Sequence, residues 1–319
     1  MPGRTDGAPR SVAYLGPAGT FSEEALLGSA RPGSVEPVAV ASIREAVDAL
    51  EAGSVELAIV PIENSLEGSI NVTLDLLAEQ AGEVRIVGET LLRVRHCLIA
   101  AREVPLEGIE SVVSHPQVPG QCTRFLRAEL AQAQIRAAAS TAEAVRGVVA
   151  AGDDAVAALG TELAAEIYGA VVLRAGVEDR ADNETRFVWL ARGGASVDEP
   201  PLRQAGGERR SSLVFWGAGA RHAGWLVRCL DEFAAREINL HKIESRPRRE
   251  QLGDYMFFVE LAGDEREERV AAALEGLRGL CERVLVLGSY RTALPAAGRA
   301  EGDEEGANAG APARSSSGG

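Results

Sequence analysis

Basic residues are scarce in this chain. Only 33 Lys and Arg stand against 47 Asp and Glu, giving a net charge of −14 and an isoelectric point near 4.9. Phosphate backbones need a basic face, so nucleic acid is excluded as the main partner. An anionic small molecule must then be held by local features, an Arg or helix N-termini, against the field of the whole protein. Cysteine is sparse too. Cys97, Cys122, Cys229 and Cys281 lie far apart with no CxxC pairing, so there is no metal signal and the pattern fits reduced thiols in a cytoplasmic enzyme. Long apolar runs are missing: nothing approaches the roughly 18 residues of a membrane span. The start, Met1 to Asp6, lacks the apolar stretch of a signal peptide. Neither a membrane nor nucleic acid is expected as a partner.

Several catalytic signatures are also absent. Gly16-Pro17-Ala18-Gly19-Thr20 is glycine-rich but has no GxGxxG and no P-loop lysine, which argues against a nucleotide. No nucleophile elbow or Asp-His-Ser order is present, so a hydrolase triad is excluded.

What is there is enough for two domains: 319 residues, 46% of them hydrophobic and 25% charged. Strands are expected at Ser11–Leu15, Val35–Val40 and Leu57–Pro61. Helices alternate with them, started by the capping boxes Thr20/Glu23 and Ser42/Glu45. A helix near 72–79 and extended segments at 85–92 and 95–100 follow. A second unit runs through the strand Ile109–Ser114, one helix over Gly120–Leu130, a weak strand at Ala133–Ala138 and a helix capped by Ser140/Glu143. Strand Ala155–Leu159 and helix Thr161–Tyr168, stopped by Gly169, complete it. Alternating strands and helices predict an α/β fold with mainly parallel, helix-covered sheets and ligands at the carboxyl ends of strands.

Residues 193–210 hold Gly193-Gly194, Pro200-Pro201 and Gly206-Gly207 and read as a linker. Beyond it the order is βαββαβ over 211–290, a ferredoxin-like topology whose open sheet edge invites a second copy. Residues 1–10 and 291–319 are expected to be disordered.

Four clusters stand out. Thr185-Arg186-Phe187, after Asp182-Asn183-Glu184, sets a hydroxyl, a guanidinium and a ring side by side. As a strand, Thr185 and Phe187 face one way and Arg186 the other; as a loop, all three reach one pocket. Pro61-Ile62-Glu63-Asn64-Ser65 ends a buried strand with a carboxylate, an amide and a hydroxyl, which either serve a turn or line a site. Ser114-His115-Pro116-Gln117 with Gln121 ends another strand, and Gly16–Thr20 precedes a helix start suited to a carboxylate.

Tyr14 to Ser22, Pro61 to Ser65, Ser114 to Cys122 and Asn183 to Phe187 together resemble the prephenate dehydratase family in order and spacing. Ile238 to Pro247 resembles its C-terminal ACT regulatory domain, and the likeness covers about residues 11–290. The resemblance implies a catalytic domain over 11–192, built like a type II periplasmic binding protein. Its subdomains would be about 11–90 with 178–192, and 91–177. It implies loss of carbon dioxide and hydroxide from prephenate to give phenylpyruvate in phenylalanine biosynthesis, with no cofactor and no metal. Thr185 is implied as proton donor, Arg186 as carboxylate grip and Phe187 as ring contact or shield. Gly16, Thr20, Glu63, Asn64, Ser65, Ser114, His115, Gln121 and Asn183 would line the pocket. The same chemistry on arogenate, a non-catalytic binding module and an inactive regulatory subunit are the competing readings. No helical domain is expected before Ser11 or after Thr292, which sets aside a chorismate mutase fusion.

The resemblance also implies a homodimer or homotetramer and an amino-acid effector, phenylalanine first. Gly224, Trp225, Leu226, Asn239, Leu240, Glu244, Ser245, Arg246 and Pro247 would hold it. The family's Pro-Gly-Ala-Leu reads Ala223-Gly224-Trp225-Leu226 here. An indole buries on the order of 200 Å² and cannot enter a site shaped for a methyl. It is expected either to reshape the effector pocket or to point into the core or an interface, with the first favoured.

Overall fold

A computed structural model gives the fold and describes residues 8–193, 200–203, 206–250 and 253–293. Most of the two expected disordered ends and parts of the linker lie outside the described residues.

The first half comprises β1 (Arg10–Leu15), α1 (Phe21–Ser29), β2 (Val35–Val40), α2 (Ile43–Ala52), β3 (Leu57–Asn64), β4 (Gly68–Ser69), α3 (Asn71–Glu79) and β5 (Val84–Arg93). The second comprises β6 (Cys97–Ala100), β7 (Ser111–Ser114), α4 (Val118–Gln121), α5 (Thr123–Glu129), β8 (Gln134–Ala137), α6 (Thr141–Ala151), β9 (Val156–Gly160), α7 (Glu162–Tyr168) and β10 (Val171–Ala175). The chain then returns to the first half as β11 (Glu184–Arg192). The last unit is β12 (Arg209–Trp216), α8 (Trp225–Ala234), β13 (Leu240–Pro247), β14 (Tyr255–Ala262), α9 (Glu268–Leu280) and β15 (Arg283–Arg291).

The first sheet runs β2-β1-β3-β11-β5, with β4 against β3. Strands β2, β1 and β3 are parallel, but β11 is antiparallel to both β3 and β5. The second sheet, β10-β6-β9-β7-β8, is likewise mixed. The expectation of mainly parallel sheets is corrected accordingly. In each sheet the antiparallel strand is the one entered directly from a crossover between the halves rather than from a helix, β11 in the first and β6 in the second. The third sheet, β13-β14-β12-β15, is fully antiparallel, which is the ferredoxin-like arrangement.

Local signals behave unevenly. Ser42 accepts the Glu45 N–H while Glu45 accepts the Ala41 N–H, a reciprocal cap. Thr20 does not cap α1. Its hydroxyl donates to Leu15 O, and Glu23 instead takes the Gly19 N–H and the Tyr14 hydroxyl. The single helix expected over 120–130 is two short ones meeting at Cys122.

The chain passes between halves at residues 94–96 and 176–183, so the carboxyl ends of β1, β3 and β7 face one cleft. The turn before α1 is pinned across it. Tyr168 donates to Ala18 O and Thr161 to Gly19 O. Gly19 has φ +86, and a Cβ there would come within 2.8 Å of Ala164. The pinned turn therefore requires glycine.

One irregularity sets the site. Between β3 and β11, Arg186 opposes Glu63 but Phe187 opposes Pro61, so Ile62 is an extra residue on β3. Ala58, Val60 and Ile62 share a core with Val188 and Leu190; Leu57 and Ile59 share another with Phe187 and Trp189. The bulge lets Glu63 stay on the side of Ile62. Asn64 then turns to the opposite face, beside Thr185.

The ferredoxin-like unit docks with its bare sheet face on that first side. Val214, Met256, Phe258, Leu287 and Tyr290 join the core of the first half. Contact is so close that a Cβ on Gly288 would lie 2.1 Å from Ile86 O.

Candidate active site

A cavity of about 730 Å³ fills the cleft. It is lined by Gly16, Thr20, Phe21 and Ser22 from the α1 turn, and by Asn64, Asn183 and Thr185 from the β3–β11 ends. His96 from the crossover, His115 and Gln121 from the β7 end, and Ser140, Thr141 and Arg146 from α6 complete the wall. Of the expected site residues, Gly16, Thr20, Asn64, His115, Gln121, Asn183 and Thr185 are thus brought together.

A directional row of amides runs to Thr185. Asn64 Oδ1 accepts the N–H groups of Leu66 at 2.9 Å and Glu67 at 3.0 Å, so its nitrogen faces the other way. That nitrogen donates to Thr185 Oγ1 at 3.0 Å, Asn183 Oδ1 at 2.8 Å and Glu184 O at 3.2 Å. Asn183 in turn donates to Gln121 Oε1 at 3.1 Å. A hydroxyl oxygen that accepts keeps its own hydrogen for another partner.

The remaining expected residues lie elsewhere. Arg186 projects from the opposite face of β11, its side chain 9% exposed. It donates to Glu260 at 2.7 Å, Glu63 at 2.9 Å and Glu89 at 3.2 Å. Burial works against its charge, but Glu260 and its neighbours outweigh that and hold the guanidinium charged. Burial alone would raise Glu63; Arg186 and Lys242 pull it below the usual carboxylate value instead. Phe187 is 2% exposed in the core with Ile59 and Trp189, not at the cavity. Ser65 receives the Glu184 N–H, and the buried Ser114 hydroxyl turns to Leu159 O. These residues frame the site rather than line it.

The expected effector residues also divide. Glu244 bonds Ser69 and lies 3.5 Å from Lys242, while Arg246 forks onto Asp75 at 2.7 and 2.9 Å. Both therefore face the first half. Gly224, Asn239, Ser245 and Pro247 are exposed, and Leu226 and Leu240 pack at the edge of the unit's core. Trp225 corrects its favoured expectation: it is 3% exposed, packs at a tilt against Phe215 and Phe257, and donates to Leu280 O at 2.8 Å.

Sequence reasoning missed His96, Phe21, Ser22, Ser140, Thr141 and Arg146. Ser140 and Thr141 follow the carboxyl end of β8, so the strand-end rule applied to Gly16–Thr20 would have found them. Nothing in its spacing marks His96. It is 1% exposed, and burial pushes its imidazole below the ordinary histidine range, partly offset by Gln121 and Glu178.

Fold and site define a two-lobed α/β cleft protein carrying a ferredoxin-like unit. Its cleft carries the Thr185 side chain on one wall. The sequence profile described as prephenate dehydratase matches residues 12–195. A prephenate dehydratase of Mycobacteroides abscessus is 40% identical over 285 residues, 88% of this chain and 89% of that one. A solved prephenate dehydratase from Arthrobacter aurescens, in complex with L-Phe, is 34% identical with a TM-score of 0.77, covering 88% of this chain and 90% of that one. A solved structure of GqqA, described as a novel type of quorum quenching acylase, is 29% identical with a TM-score of 0.78, covering 89% of this chain and 98% of that one. The chain belongs to the prephenate dehydratase family and is an enzyme, a carbon–oxygen lyase. No helix among the described residues is long and apolar enough to cross a membrane.

Proposed function

We propose that the enzyme converts prephenate to phenylpyruvate in phenylalanine biosynthesis, with Thr185 donating to the departing hydroxyl. The observation that carries this is the direction of the Asn64–Thr185 hydrogen bond. Asn64 fills an acceptor site of Thr185 Oγ1, so the hydroxyl hydrogen is left for the cavity. An N–H donated to that oxygen also makes it a better acid. As the ring C–carboxylate bond breaks, its electron pair enters the ring. The ring C–OH bond breaks with its own pair, and the oxygen leaves as water after gaining one proton. Aromaticity drives the step, so the protein's task is to hold a dianion and assist a poor leaving group.

With Arg186 turned away, the dianion needs other partners. Both α1 and α6 begin at the wall, at Thr20–Ser22 and Ser140–Thr141, and helix starts favour anions. Arg146 brings a guanidinium to the same side. Phenylpyruvate formation by the purified chain tests the reading, with arogenate as the competing substrate. Thr185→Ala should lower kcat by about 10²–10⁴ and move KM much less. A near-native kcat would place the donor elsewhere.

The C-terminal unit is read as an ACT domain that senses an aromatic amino acid, phenylalanine first, in a cytoplasmic homodimer or homotetramer. Its βαββαβ order supports this, as does the L-Phe in the complex of the Arthrobacter relative. Glu260 on β14 holds Arg186, the neighbour of Thr185, so a shift of this unit reaches the cavity in one step. Phenylalanine titration of activity and sedimentation checks both points. Indifference to phenylalanine, with monomer only, sinks them.

A further inference from the structure

His96 sits where both crossovers between the lobes meet. Its backbone N–H donates to Glu178 at 2.9 Å, and its carbonyl accepts the Val177 N–H at 3.0 Å. Its Nε2 lies 3.1 Å from Gln121 Oε1. The direction of that bond is fixed by its surroundings. Gln121 Nε2 donates to the Glu67 carboxylate at 3.0 Å, and a carboxylate only accepts. The Gln121 oxygen therefore faces Asn183 and His96, and an oxygen cannot donate. His96 must carry its hydrogen on Nε2. Burial keeps the ring neutral, and Nδ1 is left as a buried atom with no hydrogen-bond partner. The imidazole therefore has one polar task within the protein.

We propose that His96 is a positioning residue for the reaction at Thr185: its Nε2–H holds Gln121, and Gln121, through Asn183 and Asn64, holds the hydroxyl. The row His96–Gln121–Asn183–Asn64–Thr185 crosses the cleft, with Gln121 on the second lobe and Asn64 and Thr185 on the first. Every member has one allowed orientation, because carboxylate and backbone N–H groups fix the two ends. Without the His96 donor, Gln121 Oε1 keeps only the Asn183 amide as a partner, and the Gln121–Asn183 end of the row loosens. This inference rests on Thr185 being the donor.

Two amides test it in the full chain. His96→Gln places an N–H where Nε2 was; His96→Asn reaches only the Nδ1 place. His96→Phe keeps the edge contact to Phe21 and has no donor at all. Per folded molecule, the Gln variant should keep kcat near native. The Asn and Phe variants should lose about ten- to a hundredfold in kcat, with KM within about threefold. Gln and Asn variants of equal kcat, at either level, would overturn the assignment, as would a Phe variant with native kcat. Thr185→Ala is measured alongside. If it keeps its kcat, the donor reading itself has failed. If it loses kcat while the His96 variants are alike, only the positioning role has failed.

Discussion

Replacing Arg186 by Met should cost the protein stability rather than substrate affinity. The guanidinium lies among Glu63, Glu89 and Glu260, and the side chains of Glu89 and Glu260 are 4% and 8% exposed. Removing the cation strands those two carboxylates, and breaking a buried pair from one side costs about 3–5 kcal/mol. Arg210 stands 3.3 Å from Glu260 and 3.6 Å from Glu89, so part of the charge stays balanced and the lower end is expected. For a chain of this size that is a fall in melting temperature of roughly 5–10 °C. Adding Glu260→Gln should recover part of the loss, a coupling of about 0.5–3 kcal/mol for groups in contact. The assays are thermal unfolding of both variants and the double, and kcat and KM on prephenate. Arg186 lies outside the cavity wall, so KM should stay within about twofold while kcat falls with the displaced β11. Arg186→Lys should likewise leave KM unchanged, contrary to the carboxylate grip expected from the motif. A large rise in KM with no loss of stability would refute the argument and return Arg186 to the substrate.

Thr185→Ser keeps a hydroxyl and should retain more kcat than Thr185→Ala; equal losses would remove the hydroxyl from the reaction. Trp225→Ala should cost about 3–5 kcal/mol as a cavity in the C-terminal core. Its thermal unfolding is the check, and a native melting temperature would mean the indole is not buried. Neutral His96 makes stability pH-dependent. Its folded value is lowered, so the unfolded chain binds the proton first as pH falls through about 6.5. That stability is present above this pH and lost below it. The drop in melting temperature between neutral and acidic buffer should therefore be smaller in His96→Gln than in the native protein. Glu260→Gln should blunt any response of activity to phenylalanine, because it loosens the contact between the C-terminal unit and Arg186.

The alternation of β11 was legible. Read as a strand, the triplet already separated Arg186 from Thr185. What was not legible is where Arg186 goes, since Glu260 lies in a different sheet and no spacing rule predicts how two units dock. The sense of β11 was hidden as well. Its run from Phe187 to Ala191 is buried on both faces, and such a run looks the same in parallel and antiparallel sheets. Trp225 was readable but misread. Trp225, Cys229 and Phe233 recur at helical spacing, and all three are buried, so the periodicity of α8 outranked the comparison of one loop. His96 carries no local signal because its role depends on a crossover meeting α4.

The extra residue Ile62 has a meaning for insertions and deletions. Upstream of it β3 keeps one phase, and downstream the phase is inverted. Deleting Ile62 is expected to leave both side chains where they are: Glu63 would follow Pro61 directly and still oppose Arg186, and Asn64 would still oppose Thr185. The loss would be the Ile62 side chain from the core of the first half, so melting temperature should fall while KM stays within about twofold. An exchange of Glu63 and Asn64 needs the opposite event, a register shift that takes Ile62 into the ladder opposite Arg186. The bulge is therefore slack in the strand: a residue can leave it without moving an amide away from the chemistry or a carboxylate away from the contact between units.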